Sequence, residues 1–268
     1  SYKLLIAGIG YSISSNIYPM VIGKVFTLGD VGFFNRAKGL KDLPVLMFTG
    51  IIQQVTLPTF SNIQEETTRF FNAYRKAIKT SLFLVLLPLL VFIVSAEPLV
   101  ELLLTSKWLP AAYMLRIIAI GSIFYPVSAL NINIIGIKGR SDYVMILQFI
   151  KDGFIFAGAL IGLVFGIDGL LWSMAITGNI GFLINIYFTS KVIKYPIKNQ
   201  LRDLFPVIML ASLAGIISYV STLLIFGSNL FLIIVQTSLI GVLYIGIAWL
   251  FNLPELKSSV ELIKKMIK

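Results

Sequence analysis

The sequence predicts an all-α fold, a polytopic membrane helix bundle of about eight transmembrane helices. Three observations carry that reading. Of 268 residues, 57% are hydrophobic and 13% charged, and an ordinary soluble domain has about twice that charged share. The mean hydropathy is +0.92, so lipid is the solvent that fits. The apolar residues also run continuously instead of alternating. Without water in the bilayer core a backbone must hydrogen-bond within itself, which leaves helices or closed barrels, and continuous runs select helices.

A span needs about 20 mostly apolar residues. Eight runs qualify, at residues 4–26, 43–60, 77–94, 114–135, 144–165, 169–188, 204–226 and 230–251. Short connections such as Gly166-Ile167-Asp168 and Gly227-Ser228-Asn229 make their flanking spans antiparallel neighbours. Two connections are longer. Residues 61–76 carry Phe70, Phe71 and Tyr74 at the spacing of an amphipathic lead-in to the third span. Residues 95–113 contain a short helix opening at Pro98, with Trp108 as an interfacial anchor. The tail from Pro254 is basic and amphipathic and reads as lying on the membrane surface.

Basic residues set the orientation. Fifteen Lys and Arg fall on the side holding both termini and six on the other, with Lys151 inside the fifth span. The bias places both termini in the cytoplasm. The net charge of +10 then reflects cytoplasmic loops and anionic lipid head groups, not nucleic acid. The absence of Cys and His removes disulfides, thiolate metal sites and the commonest general base, and no cofactor or metal is expected. With no P-loop and no Asp-x-Asp pair either, the sequence argues against an enzyme. The chain opens on Ser1, which reads either as processing or as a piece of a longer protein.

Several polar residues do not suit a passive bundle. Lys24, Arg36, Lys38 and Lys41 lie between the first and second spans, on the side that positive charge avoids. They read either as snorkelling side chains or as a cationic mouth for an anionic substrate. Ser12, Asn16, Pro19 and Gly23 share one face of the first span, as packing surface or as cavity wall bent at Pro19. The fourth span carries Gly121, Tyr125, Ser128 and Asn131 on a shared face, with Asn133 nearby and Arg116 near its outer end. The fifth carries Gln148, Lys151 and Asp152. Snorkelling accounts for the last two, and Asp152 is also a candidate for ion coupling. Gly158, Gly162 and Gly166 form a doubled GxxxG, a packing signal. The seventh and eighth spans hold no charges and look peripheral.

Four strings in order carry a family resemblance: Ile22-Gly23-Lys24 with Gly32-Phe33-Phe34-Asn35-Arg36-Ala37; Leu57-Pro58-Thr59-Phe60-Ser61; Ala96-Glu97-Pro98-Leu99-Val100 with Lys107-Trp108-Leu109-Pro110-Ala111; and Gly139-Arg140-Ser141-Asp142. Over roughly the first 145 residues the chain resembles the polysaccharide flippase family (Wzx-like lipopolysaccharide and exopolysaccharide exporters) of the multidrug/oligosaccharidyl-lipid/polysaccharide exporter superfamily. Such proteins are 14-helix transporters of two six-helix lobes plus two added helices. The resemblance implies that residues 1–193 are the second lobe and residues 194–268 the added pair with a basic cytoplasmic tail. The first lobe would then be absent, with a truncated chain or self-pairing of two copies as the explanations.

The resemblance further implies transport of undecaprenyl-diphosphate-linked oligosaccharide across the bacterial cytoplasmic membrane by alternating access. The alternatives are a drug or metabolite antiporter of the same superfamily, or a non-transporting fragment. The partners implied are the lipid-linked glycan, membrane lipids, and a first lobe or second copy. On this reading Lys24, Arg36, Lys38, Lys41 and Arg116 form a cationic cavity wall. Asn16, Gln53, Gln54, Asn131 and Asn133 bond sugar or head group.

Overall fold

The computed structural model describes residues 2–222 and 227–267. Among them the chain forms α1 (Tyr2–Ser14), α2 (Ile17–Val25), α3 (Leu28–Asn62), α4 (Thr67–Val94), α5 (Ala96–Leu104), α6 (Leu109–Gly121), α7 (Tyr125–Ile137), α8 (Ser141–Val164), α9 (Gly166–Ile193), α10 (Ile197–Thr222), α11 (Asn229–Leu250) and α12 (Pro254–Ile267). No strand occurs among the described residues. Among the described residues, eight stretches are long and apolar enough to cross a membrane, in the order the sequence predicts. The expected end of the seventh span, at 223–226, lies outside the described residues.

The second span differs most from its expected bounds. The chain does not loop out between residues 27 and 42; α3 begins at Leu28. Thr27 and Asp30 form a reciprocal capping box that starts the helix there. At 35 residues, α3 is about 52 Å long, against roughly 30 Å of bilayer hydrocarbon. The charged first turns lower local hydropathy without breaking the helix, so hydropathy alone places its start too late. Arg36, Lys38 and Lys41 are therefore helical residues whose faces are fixed.

Two spans are interrupted. The first breaks between α1 and α2 at Ser15 and Asn16, a few residues before Pro19. Proline has no N–H to donate to the carbonyl one turn earlier. Ser12 Oγ bonds Gly8 O (2.9 Å) and Asn16 Nδ2 bonds Ser12 O (2.8 Å), the back-bonding that bends helices. The fourth breaks between α6 and α7 at residues 122–124, with Pro126 at the second position of α7.

α4 is the central helix. Phe70, Tyr74, Ile78, Leu82, Leu86 and Leu90 join one core with residues of α7, α9, α10 and α11. The Tyr74 hydroxyl donates to Asn131 Oδ1 (2.5 Å), with Gln200 Oε1 3.0 Å away. Arg75 forks onto Asp203 of α10 through two 2.5 Å bonds, and the Tyr195 hydroxyl bonds the same carboxylate. The burial of the ring and that carboxylate hold the Tyr195 phenol well above its ordinary pKa. The uncharged look of the seventh and eighth spans thus hides a polar anchor just before them. The tail packs onto the bundle. Glu255, Ser258 and Ser259 of α12 are buried, and Lys79 of α4 meets Glu255 at 2.6 Å.

Candidate functional site

The interrupted spans converge. Gly121 ends α6 hard against α9: a Cβ there would lie 2.6 Å from Ala175 Cα, and one on Gly178 would lie 2.9 Å from Gly121 O. This close approach brings the α6–α7 break beside the α1–α2 break. Two adjoining cavities, about 490 and 340 Å³, flank the meeting point. Tyr11, Gly121, Tyr125, Ile155, Thr177 and Gly178 line both. Interrupted spans in corresponding places of two successive three-span units are where transporters build binding sites.

The smaller cavity lies between α1, α2, α3, α6, α8 and α9 and is lined by Ser14, Ser15, Tyr18, Lys38, Lys41 and Asp42. Lys41 is only 7% exposed and pairs with Asp42. The Tyr18 hydroxyl lies 3.2 Å from Thr177 Oγ1, tying α2 to α9. The larger cavity is lined by Gln53, Ser128, Asn133, Gln148, Lys151 and Asn185, among others. Asn133 Nδ2 and Asn185 Oδ1 are buried there without a hydrogen-bond partner among the described residues. An unpaired buried amide costs roughly 1–3 kcal/mol, and a polar ligand or water recovers that cost. Lys151 packs its stem over Gly181, whose absent Cβ would sit 3.4 Å from Lys151 Cδ. No carboxylate among the described residues lies within ion-pair distance of its ammonium.

The neighbouring Asp152 points elsewhere. It is 7% exposed and accepts from Gln148 Nε2 at 2.7 Å. A Cβ on Gly10 of α1 would lie 2.6 Å from Asp152 Oδ2. The glycine gives the carboxylate room against α1. Successive residues on a helix diverge by about 100°, so one faces α1 and the other the cavity.

The ten residues the sequence nominates for binding are thereby divided. Lys38, Lys41, Gln53 and Asn133 line the two cavities. Lys24 is exposed in the last turn of α2. Arg36 is exposed and stacks 5.6 Å above the Trp108 ring. Arg116 binds Ile93 O at 3.2 Å and Glu97 at 2.9 Å. Asn16 bonds its own helix and is exposed, as is Gln54. Asn131 is buried in the α4–α7 core beside Tyr74.

Sequence reasoning leaves Lys151 out of the cationic set. Its depth is the available signal: ten residues after Ser141 on α8, it lies about 15 Å along the helix, near the middle of a 30 Å core. Snorkelling from there is costly. Asp42 escapes notice because its charged surroundings read as a loop.

Three comparisons bear on this arrangement. A family model described as "Polysaccharide biosynthesis protein" matches residues 1–113. The teichuronic acid biosynthesis protein TuaB of Bacillus subtilis (strain 168) is 25% identical over 215 residues, which is 77% of this chain and 43% of that protein. Among solved structures, lipid II flippase MurJ in an inward closed conformation superposes with a TM-score of 0.73 at 19% identity, over 93% of this chain and 52% of the other. At that identity the likeness concerns the fold. The chain spans about half the length of both proteins. Over residues 1–113 the chain is thus similar to a polysaccharide biosynthesis family, and it shares the fold of a solved flippase, with eight helical stretches among the described residues long and apolar enough to cross a membrane.

Proposed function

We propose that this chain forms the second lobe (residues 1–193) and two added helices (residues 194–268) of a transporter. Its cargo is undecaprenyl-diphosphate-linked oligosaccharide, carried across the bacterial cytoplasmic membrane by alternating access with both termini in the cytoplasm. The observation that carries the reading is the pair of interrupted spans meeting over cavities that Lys38, Lys41 and Lys151 line. A diphosphate cannot cross hydrocarbon unaided, because a charge at the bilayer centre costs several kcal/mol. A wet wall of ammonium groups lowers that barrier, and the unpaired amides of Asn133 and Asn185 suit sugar hydroxyls. Lys24, Arg36 and Arg116 then form an outer rim that attracts the anion without gripping it. We assign ion coupling to Asp152, whose carboxylate packs against Gly10 of α1. The other lobe, or a second copy of this chain, closes the groove.

The test is export. In cells whose surface glycan depends on this protein, Lys41→Ala should lower surface glycan about tenfold, the scale of one charge-assisted hydrogen bond. Arg36→Ala should change it less than about threefold, as expected of an exposed rim charge. The readout is glycan per unit of membrane-inserted protein. Equal export by Lys41→Ala and the parent protein contradicts the cationic wall.

A further inference from the structure

A second site lies at the opposite end of α3, sharing no lining residue with the transport cavities. Where the end of α3 meets α4 and the tail helix α12, an apolar cleft of about 170 Å³ opens, lined by Val55, Phe60, Ala73, Ala77 and Leu262 among others. That is room for about five or six methylene-sized groups. The cleft runs into a wider cavity of about 470 Å³ lined by Arg75, Lys76, Lys79 and Lys257, with Glu255 and Glu261. Lys76, Thr80, Ser258 and Glu261 line both.

The charges in this second cavity do not cancel. Arg75 is held by Asp203, Lys79 by Glu255 at 2.6 Å and Lys76 by Glu261 at 3.1 Å. Lys257 makes no ion pair among the described residues and is exposed on α12. One positive charge is therefore left over beside the cavity. Thr80 is 2% exposed and its hydroxyl has no hydrogen-bond partner among the described residues. An apolar slot opening onto a singly uncompensated cationic cavity has the form of an amphiphile with one negative charge.

We infer that this is a binding site for an anionic glycerophospholipid from the leaflet at the basic end of the bundle. An acyl segment occupies the α3–α4 cleft and the phosphate sits against Lys257 and Lys76. A phosphodiester carries the single charge that Lys257 lacks a partner for. The α12 helix, tethered by Glu255 and Glu261, forms the cover of the site. Its position on α4 then depends on the lipid as well as on the two ion pairs.

The experiment uses the purified chain in detergent, incubated with dioleoyl phosphatidylglycerol, dioleoyl phosphatidylcholine or glycerol phosphate, and native mass spectrometry of the retained adducts. Phosphatidylglycerol should be retained as one molecule per chain, above phosphatidylcholine, with no adduct of glycerol phosphate. Lys257→Glu should lower retention about fivefold or more, the scale of a lysine facing an anionic lipid surface. Val55→Phe, which fills the cleft, should lower it as well. Lys264→Glu, exposed on the same helix and outside both cavities, should leave it unchanged. Equal retention of the two lipids, or an equal loss in Lys257→Glu and Lys264→Glu, overturns the inference in favour of diffuse attraction to the tail. Retention of glycerol phosphate alone overturns it in favour of a simple phosphate site. Lys257 is on the surface, so that variant folds, and no transport reading enters the result.

Discussion

Lys151→Glu is expected to reduce glycan export by roughly tenfold to a hundredfold while leaving the protein in the membrane. The lysine it replaces lines the larger cavity, and its ammonium has no carboxylate within ion-pair distance among the described residues, whereas Lys41 shares its charge with Asp42. A cation outside any ion pair among the described residues is open to a ligand, and a hydrogen bond to a charged group is worth about 1.5–3 kcal/mol, which is that range in affinity. Reversal also adds a carboxylate beside Asp152, which repels an anionic cargo. Lys151→Arg should keep much of the export, since the charge survives and only the point geometry of the ammonium is lost. Lys151→Gln should fall between them. The ordering Arg above Gln above Glu, read as surface glycan per membrane-inserted protein, is the expected signature of charge. A flat series would mean that Lys151 only packs against Gly181.

Gly162→Leu is expected to prevent the bundle from forming, by a mechanism with no electrostatic part. A Cβ at Gly162 would lie 2.6 Å from Ser173 Oγ and 2.7 Å from Gly169 O, and the Gly169 carbonyl belongs to α9 backbone. A serine side chain can rotate away; a helix backbone cannot move without separating α8 from α9. Overpacking ordinarily costs about 1–3 kcal/mol, and a clash with backbone at a helix crossing belongs at or above the top of that range. Because α8 and α9 wall the larger cavity, the loss reaches the site. The measurement is the monodisperse fraction in size-exclusion chromatography after detergent extraction, expected to fall to near zero. Gly153→Leu, on the same helix with nothing within 4 Å of its added Cβ, should behave like the parent chain.

Much of this architecture is written in local sequence. Long apolar runs locate eight spans because a bilayer imposes one length scale on all of them. Gly158 and Gly162 announce the α8–α9 approach, and the structure places their missing Cβ atoms 2.6 Å from Thr177 and Ser173 side-chain atoms. The third glycine of that series serves the backbone instead. Gly166 turns the chain at a φ of +75°, where a side chain is strained. Pro19 and Pro126 mark the two broken spans. What local sequence does not carry is which face of a helix meets which neighbour. The polar stripe of Ser12 and Asn16 is a bend that bonds to its own helix, and the cavity wall is made by Ser14, Ser15 and Tyr18 on the adjoining face. Lys151 and Asp152 both read as snorkelling side chains in the sequence, yet they diverge onto different surfaces. The docking of α12 rests on pairings between residues 76 and 261 and between 79 and 255, and no spacing within either segment foretells them.

On the function proposed above, the cavities beside the two broken spans receive the diphosphate of a lipid-linked glycan. Site-specific photo-crosslinking tests it most directly. A benzophenone amino acid is placed at Ser128, in the larger cavity, and at Val242, on the outer face of α11 and 69% exposed. Membranes carrying radiolabelled undecaprenyl-diphosphate-linked glycan are then irradiated. A labelled adduct is expected at Ser128, above any label at Val242, and Lys151→Glu should abolish it. Labelling at Val242 that equals or exceeds labelling at Ser128, or Ser128 labelling indifferent to Lys151, would contradict it.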